Sequence, residues 1–319
     1  MHDYLRAVGF GCIKEKTDLD MLLHIVTAAP DLEHMEHLPG QEMVYAEKSR
    51  DFAQNAGVTV RGEISPLRGF SCEYFFPHYT GRCISANEDV TAQKRSDREE
   101  YDGVCEISTQ GMSIVFHMNR LMDYAGQNGI QKIQKEEIIS EESFREDPDI
   151  YLEEGILSRF IKNAAVRLSA LSISGKILLP VRRSKGQIKQ KIKSGFRRAM
   201  MADAARSGDP GALENLAIEQ LDSYSHALKR IGKEDILSVV DSYFMPCGIA
   251  YDQYSILGDI IDCSEEINQL TGEVLEQMIV VCNEMILDIC MNKEDLLGEP
   301  LAGRRFLGNI WLQGVLDYE

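Results

Sequence analysis

Two histidines three residues apart stand in the stretch EHMEH, at 33–37, and make the nearest approach in this sequence to a metal site. On a helix, His34 and His37 would share one face, each turning an imidazole nitrogen toward an ion. Two ligands are too few for zinc, and no further His or Cys follows at ligand spacing. The stretch reads as the exposed polar end of a helix before Pro39-Gly40, and no metal or other cofactor is expected. His78, in EYFFPHY, and His117, in IVFHM, fall on expected strands. Either could meet Cys72 or Cys105 across a sheet and form a thiol–imidazole pair, the start of a hydrolase or transferase. The simpler reading is a buried, hydrogen-bonded histidine beside an inert thiol. Glu136-Glu137, Glu141-Glu142 and Asp147 with Asp149 would do acid–base work only if two were desolvated together. In so acidic a chain they read as solvated loops.

The basic residues are less evenly spread. VRRSKGQIKQKIKSGFRRAM, at 181–200, carries eight Lys and Arg and no acid, in a chain whose formal charge is −17. With helical spacing, Lys189, Lys193 and Arg197 make one row beside Ile188, Ile192, Phe196 and Met200, and Arg182, Arg183 and Lys185 lie just ahead. Such a face suits a phosphate, an acidic peptide or RNA; it also suits the chain's own acidic surface or that of a second copy. A second group of candidates for an anion or partner lies in GRRFLGNIWLQG, at 303–314: Arg304, Arg305 and Trp311, the one tryptophan. Adjacent strand residues point to opposite faces, so the two arginines do not readily grip one ligand.

Linear motifs of catalysis are missing. There is no GxxxxGK[ST], no HExxH, no CxxC and no GxSxG, and Gly9-Phe10-Gly11 lacks both the third glycine and the preceding strand of a dinucleotide loop. The acidic balance opposes general nucleic-acid binding and anionic membranes. No apolar run reaches the roughly 18 residues of a membrane helix, and MHDYLRAVGFGCIKEK does not read as a secretory leader. The eight scattered cysteines read as reduced, mostly buried thiols. Together these point to the cytosol.

The elements that must position these residues follow from periodicity. A short helix at His2–Val8 and a turn at Gly9–Gly11 lead to a second helix, with Thr17 and Asp20 as a capping box and Leu19, Leu22, Leu23 and Val26 as its apolar stripe. From about 43 the period becomes two, and aromatic and β-branched runs predict an antiparallel meander through MSIVFHMN. VRLSALSISGKILLPV, at 166–181, predicts another strand, and the stretch after it predicts helices. DILSVVDSYFMP, at 235–246, is undecided. The last 70 residues read as all-β, with Asn283-Glu284 as a hairpin turn. The pattern apolar, any, Gly, polar, Ile occurs at 60–64, 173–177, 256–260 and 306–310, without a fixed period. Glycines inside strands mark sharp curvature or close approach, so Gly308 and Gly314 are expected to bend a closing strand, with Ile310 and Leu312 on one face and Trp311 on the other. The expected fold is α+β: N-terminal helices on an antiparallel sheet (1–155), a β-hairpin and central helical segment (156–248), and a small C-terminal β-barrel of the OB or SH3-like kind (249–319).

YLRAVGF, EYFFPHY, LSALSISGKILLPV, AARSGDPGALENL, YFMPCGIAYDQYSILGDI and LLGEPLAGRRFLGNIWLQG resemble a family of uncharacterised proteins of Gram-positive anaerobes, a domain of unknown function. The resemblance implies a bacterial cytosolic setting and no activity, ligand or site residue. The expected function is a non-catalytic binding or regulatory protein acting on another protein or its own copy, with no membrane partner. The alternatives are a hydrolase or transferase with a site between sheet and helices, and phosphate or nucleic-acid binding through 182–198.

Overall fold

The computed structural model describes residues 2–37, 44–65, 67, 69–94, 100–107, 112–120, 159–180, 240, 242–283 and 285–317. Asp3–Val8 forms a 3-10 turn closed by Gly9 at φ +85°, and α1 spans Lys16–Ala28. Glu15 occupies the position before α1 without a side-chain cap bond, so the expected Thr17–Asp20 box does not form. Leu22 and Val26 are the fully buried part of its stripe.

Four strands follow and make one antiparallel sheet in the order β1 (Leu32–His37), β2 (Val44–Ala53), β3 (Ala56–Ser65) and β4 (Gly69–Tyr79). EHMEH is therefore strand, not the end of a helix. Residues three apart on a strand alternate between faces, and the shared face required of His34 and His37 is lost. Gly62 sits at the bulge between β3 and β4, where a Cβ would lie 1.9 Å from the Ser71 carbonyl oxygen.

The other strands join in a single larger sheet. They are β5 (Ala86–Lys94), β6 (Tyr101–Ile107), β7 (Met112–Met118), β8 (Arg159–Leu178), β9 (Tyr243–Pro246), β10 (Gln253–Ile267), β11 (Val274–Cys282), β12 (Met285–Asn292), β13 (Leu296–Leu297) and β14 (Arg305–Asp317). Pairings β10–β11, β11–β12, β12–β8, β8–β14 and β14–β10 close a five-stranded barrel. A second circuit runs β5–β6, β6–β7, β7–β14, β14–β8 and β8–β5. The two circuits share the long β8/β14 ribbon and mirror each other in connectivity. Each three-strand meander is followed by a long strand that pairs antiparallel with its own first strand and parallel with the last strand of the other meander. Strands from all three expected stretches thus enter one sheet.

This corrects the α+β expectation: the protein is mostly β, a closed five-stranded barrel plus an antiparallel sheet. The expected central helices, between 182 and 239, lie outside the described residues. The local sequence reading failed at EHMEH, where a three-residue spacing of Glu and His and a short length resemble a helix end, and pairing with β2 decides otherwise.

Two cores hold these layers. Ile256, Met278, Leu287, Ile289, Phe306, Ile310 and Leu312 belong to the core inside the circuits. Burying each such side chain contributes about 1.5–3 kcal/mol. Trp311, Leu171, Leu275 and Cys290 face outward from the ribbon and barrel, and join Phe52, Val58, Val60, Phe76, Leu5, Phe10 and Leu22 in the second core. The expected split of Ile310 and Leu312 from Trp311 across β14 is what the cores contain. Gly175 and Gly308 are direct partners on β8 and β14. A Cβ at either would lie within 2.7 Å of the Phe306 ring, which crosses the space two side chains would need. At the far end of the ribbon, a Cβ on Gly314 would lie 2.5 Å from the Phe116 ring. Where the sheet meets the ribbon, buried Gln313 accepts from the Tyr79 amide and the Asn119 side chain (3.0 and 3.1 Å) and donates to the Pro77 carbonyl at 2.8 Å. One amide side chain thus pairs two backbone groups at the last residues of β4, the edge strand of its sheet.

Candidate functional site

At the β10–β11 end of the barrel, the interior opens into a pocket of about 400 Å³ lined by Cys263, Ser264, Glu265, Glu276, Lys293, Leu296, Gly298, Glu299, Pro300 and Leu301. Strand alternation explains how polar groups reach it. Met278 belongs to the barrel core, Cys263 is its cross-strand partner and packs against that core, and two residues along each strand come Glu276 and Glu265, also partners. The two carboxylates therefore lie side by side on the barrel's inner wall, at its mouth. Lys293 reaches in from the 3-10 turn Lys293–Asp295, whose Asn292 cap accepts from the Glu294 amide at 3.0 Å.

The electrostatics of this trio are uneven. The Lys293 ammonium bonds the Glu265 carboxylate directly and stands 3.7 Å from Glu276. Glu265 and Lys293 are about half exposed, whereas the Glu276 side chain is only 4% exposed. The bond to Lys293 and its charge hold Glu265 below the usual carboxylate range. Burial, followed by the charge of Glu265, pushes Glu276 above it despite Lys293. Neighbouring acids driven apart in this way mark functional sites more often than ordinary surfaces. Cys263 donates to the Pro300 carbonyl at 3.4 Å, and burial, then the charges of Asp262 and Glu276, raise its thiol. It is thereby held away from the reactive thiolate.

The residues expected from sequence fall elsewhere. Arg304 bonds the Glu299 carbonyl at 2.6 Å and lies 3.5 Å from that residue's carboxylate, on the rim of the pocket loop. Buried Arg305 donates to the carbonyls of Leu179 and Val240, both at 3.2 Å. Trp311 donates to Asp252 at 2.7 Å and sits among His2, Tyr4 and His117, with ring centroids 4.8–5.3 Å away. These three are thus spread over separate surroundings. Arg182, Arg183, Lys185, Lys189, Lys193 and Arg197, and the carboxylates between 136 and 149, lie outside the described residues.

His78 is buried, bonded through Nε2 to Asp51 at 2.7 Å and through Nδ1 to Thr59 at 2.9 Å; Thr59 in turn meets Ser49 at 3.0 Å. Burial raises the Asp51 carboxyl, but the bond and charge of His78, with the charge of Arg120, outweigh it and leave it lowered. The order resembles a hydroxyl–imidazole–carboxylate relay, yet Ser49, Thr59 and His78 are all buried in the sheet and do not line the barrel-mouth pocket. Nearby, Arg61 donates to Glu47 at 2.6 Å and to the Met118 carbonyl at 3.2 Å, with Phe76 beneath its guanidinium. His117 packs edge-on to Phe76 at 4.4 Å. This polar seam sits beside the Phe76–Trp311 core and orients the sheet.

All eight cysteines are free thiols; Cys105, Cys282 and Cys290 are buried, and burial raises Cys282 to about 12. Among the described residues no cluster of three or more His, Cys, Asp or Glu is placed to hold a metal ion. Nor is any helix among them long and apolar enough to cross a membrane. Glu276 and Glu265 were overlooked in the sequence. The available signal was Glu276-Gln277, two polar residues in succession within the otherwise apolar EVLEQMIVVC.

No curated protein and no solved structure matches the chain. One family does, over residues 5–314, under the description "Domain of unknown function, E. rectale Gene description (DUF3881)". Both meanders, the barrel mouth, β8 and all but the last three residues of β14 fall inside that span, and the chain belongs to this family.

Proposed function

We propose that the protein is a non-catalytic binding protein that receives a small polar ligand in the mouth of its five-stranded barrel. The observation that carries this reading is Glu276, a carboxylate nine-tenths buried that faces a pocket of about 400 Å³, with its nearest cation 3.7 Å away. Pockets of this size at barrel mouths, with few convergent polar groups on an apolar wall, are ordinary ligand sites. Leu296, Pro300 and Leu301 supply that wall. Binding is favoured over catalysis for two reasons. The two carboxylates are neighbours on one wall, whereas the acid and base of a glycosidase flank the bond they cleave. The pocket's thiol is held protonated. The setting we propose is the cytosol of a Gram-positive anaerobe, where unpaired thiols are stable.

A ligand-observed NMR screen of small polar metabolites tests the reading. Hits are expected on the parent protein and are expected to vanish in Leu301→Trp, which fills the mouth from a partly exposed position. A screen with no hits, or hits indifferent to that substitution, would overturn it.

A further inference from the structure

We infer that the ligand bound at the barrel mouth carries a cationic nitrogen on an apolar stem, and that it binds by taking the place of Lys293 beside Glu265 and Glu276. The inference rests on the binding reading above and names the chemistry of that same site. Three observations carry it. First, Glu276 is almost fully buried, yet Lys293 stands beyond hydrogen-bond reach at 3.7 Å. A buried carboxylate whose cation stands that far off gains from a closer donor that carries charge. Second, the cation now facing it is easily moved. The Lys293 side chain is 49% exposed, and a half-exposed ion pair is weak. Its turn is pinned through Asn292, so the lysine stem can swing out without unfolding the wall. Third, the lining chooses the sign of the ligand. Glu265, Glu276 and Glu299 line the pocket with one ammonium, Lys293, and Arg304 stands 3.5 Å from Glu299. With Lys293 displaced, an anion meets three acidic side chains and no cation in the lining, and a neutral group lacks the charge to displace it. Leu296, Pro300 and Leu301 accept methylenes beside the charged end, a lining that matches the lysine side chain itself.

Pentylamine, pentanol and pentanoate share length and shape and differ in charge, and titration of each against the full chain, followed by NMR, tests the inference. Pentylamine alone is expected to shift the resonances of the mouth. Lys293→Met is expected to tighten pentylamine about tenfold by removing the resident competitor, and Glu276→Gln to weaken it by at least about tenfold. Glu265→Gln, at a half-exposed position, repeats the test should Glu276→Gln disturb the barrel, and is likewise expected to weaken binding. Equal or better binding of pentanol or pentanoate would overturn the inference while leaving the binding reading intact. So would a Lys293→Met protein with unchanged affinity for pentylamine. Silence from all three probes rejects the cation as ligand, whereas the binding reading falls on the outcome of the wider metabolite screen and its Leu301→Trp control.

Discussion

Glu276 and Asp51 show how one residue type takes opposite roles according to its neighbours, and pH separates them. For Glu276 the folded state favours the neutral acid, so its contribution is fully present at acid pH and is lost as pH rises through its raised value. Glu276→Gln is therefore expected to raise the thermal midpoint at pH 7, with the gain disappearing near pH 4, about the ordinary carboxylate value. Asp51 is lowered by its His78 bond, so its contribution is present at neutral pH and is lost as pH falls through its depressed value. Asp51→Asn is expected to destabilise at pH 7 and to converge with the parent in acid; melts across pH 3–7 check both signs. At this scale the sequence was only partly legible. His78 and His117 were recognisable as buried residues from their apolar neighbours, as the structure has them. The mouth carboxylates were not, because their meaning arises from the pairing of Glu265 with Glu276 across two strands that sequence spacing does not relate.

Among the elements, β14 was the most legible and β1 the least. The glycine pattern in FLGNIWLQG predicted a strand forced into close approach, and Gly308 meets both the Phe306 ring and the Ser174 carbonyl oxygen, 2.9 Å from any Cβ. Because backbone cannot yield as a side chain can, Gly308→Ala is expected to cost about 1–3 kcal/mol, read as a lower urea midpoint with an unchanged slope. The hairpin at Asn283 was also readable: β11 and β12 turn across two residues, Cys282 pairs with Met285, and Asn283 takes φ +47°, a conformation asparagine tolerates. EHMEH was not readable, since five residues with Glu and His each repeated three apart are too short a stretch to separate strand from helix before β2 is known to lie beside them.

For the whole molecule, a barrel was expected from local curvature, but its partners were not. The expected small barrel drew on the last 70 residues, whereas the closed one also requires β8, and β14 serves a second circuit besides. Such sharing depends on parallel contacts between segments far apart in the chain, which no periodicity announces. Tyr254 reinforces the join: from β10 its hydroxyl donates to the Val115 carbonyl on β7 at 3.0 Å and accepts from that residue's amide at 2.8 Å. Because Trp311 lies on the shared ribbon and is the only tryptophan, its fluorescence should report both circuits at once. Its emission shift and the loss of far-UV circular dichroism are expected to coincide in urea; two separated transitions would show that the circuits unfold independently.

The shared ribbon also bears on how the chain is made. Neither circuit can close before Arg305–Asp317 has left the ribosome, so the nascent polypeptide holds the first meander and β8 as an open cup with unsatisfied strand edges until then, joined by the second once β12 is made. A stop codon just ahead of β14 would therefore remove all thirteen residues of that strand and strand both halves together, leaving an aggregation-prone product for chaperones and proteases rather than a smaller working protein.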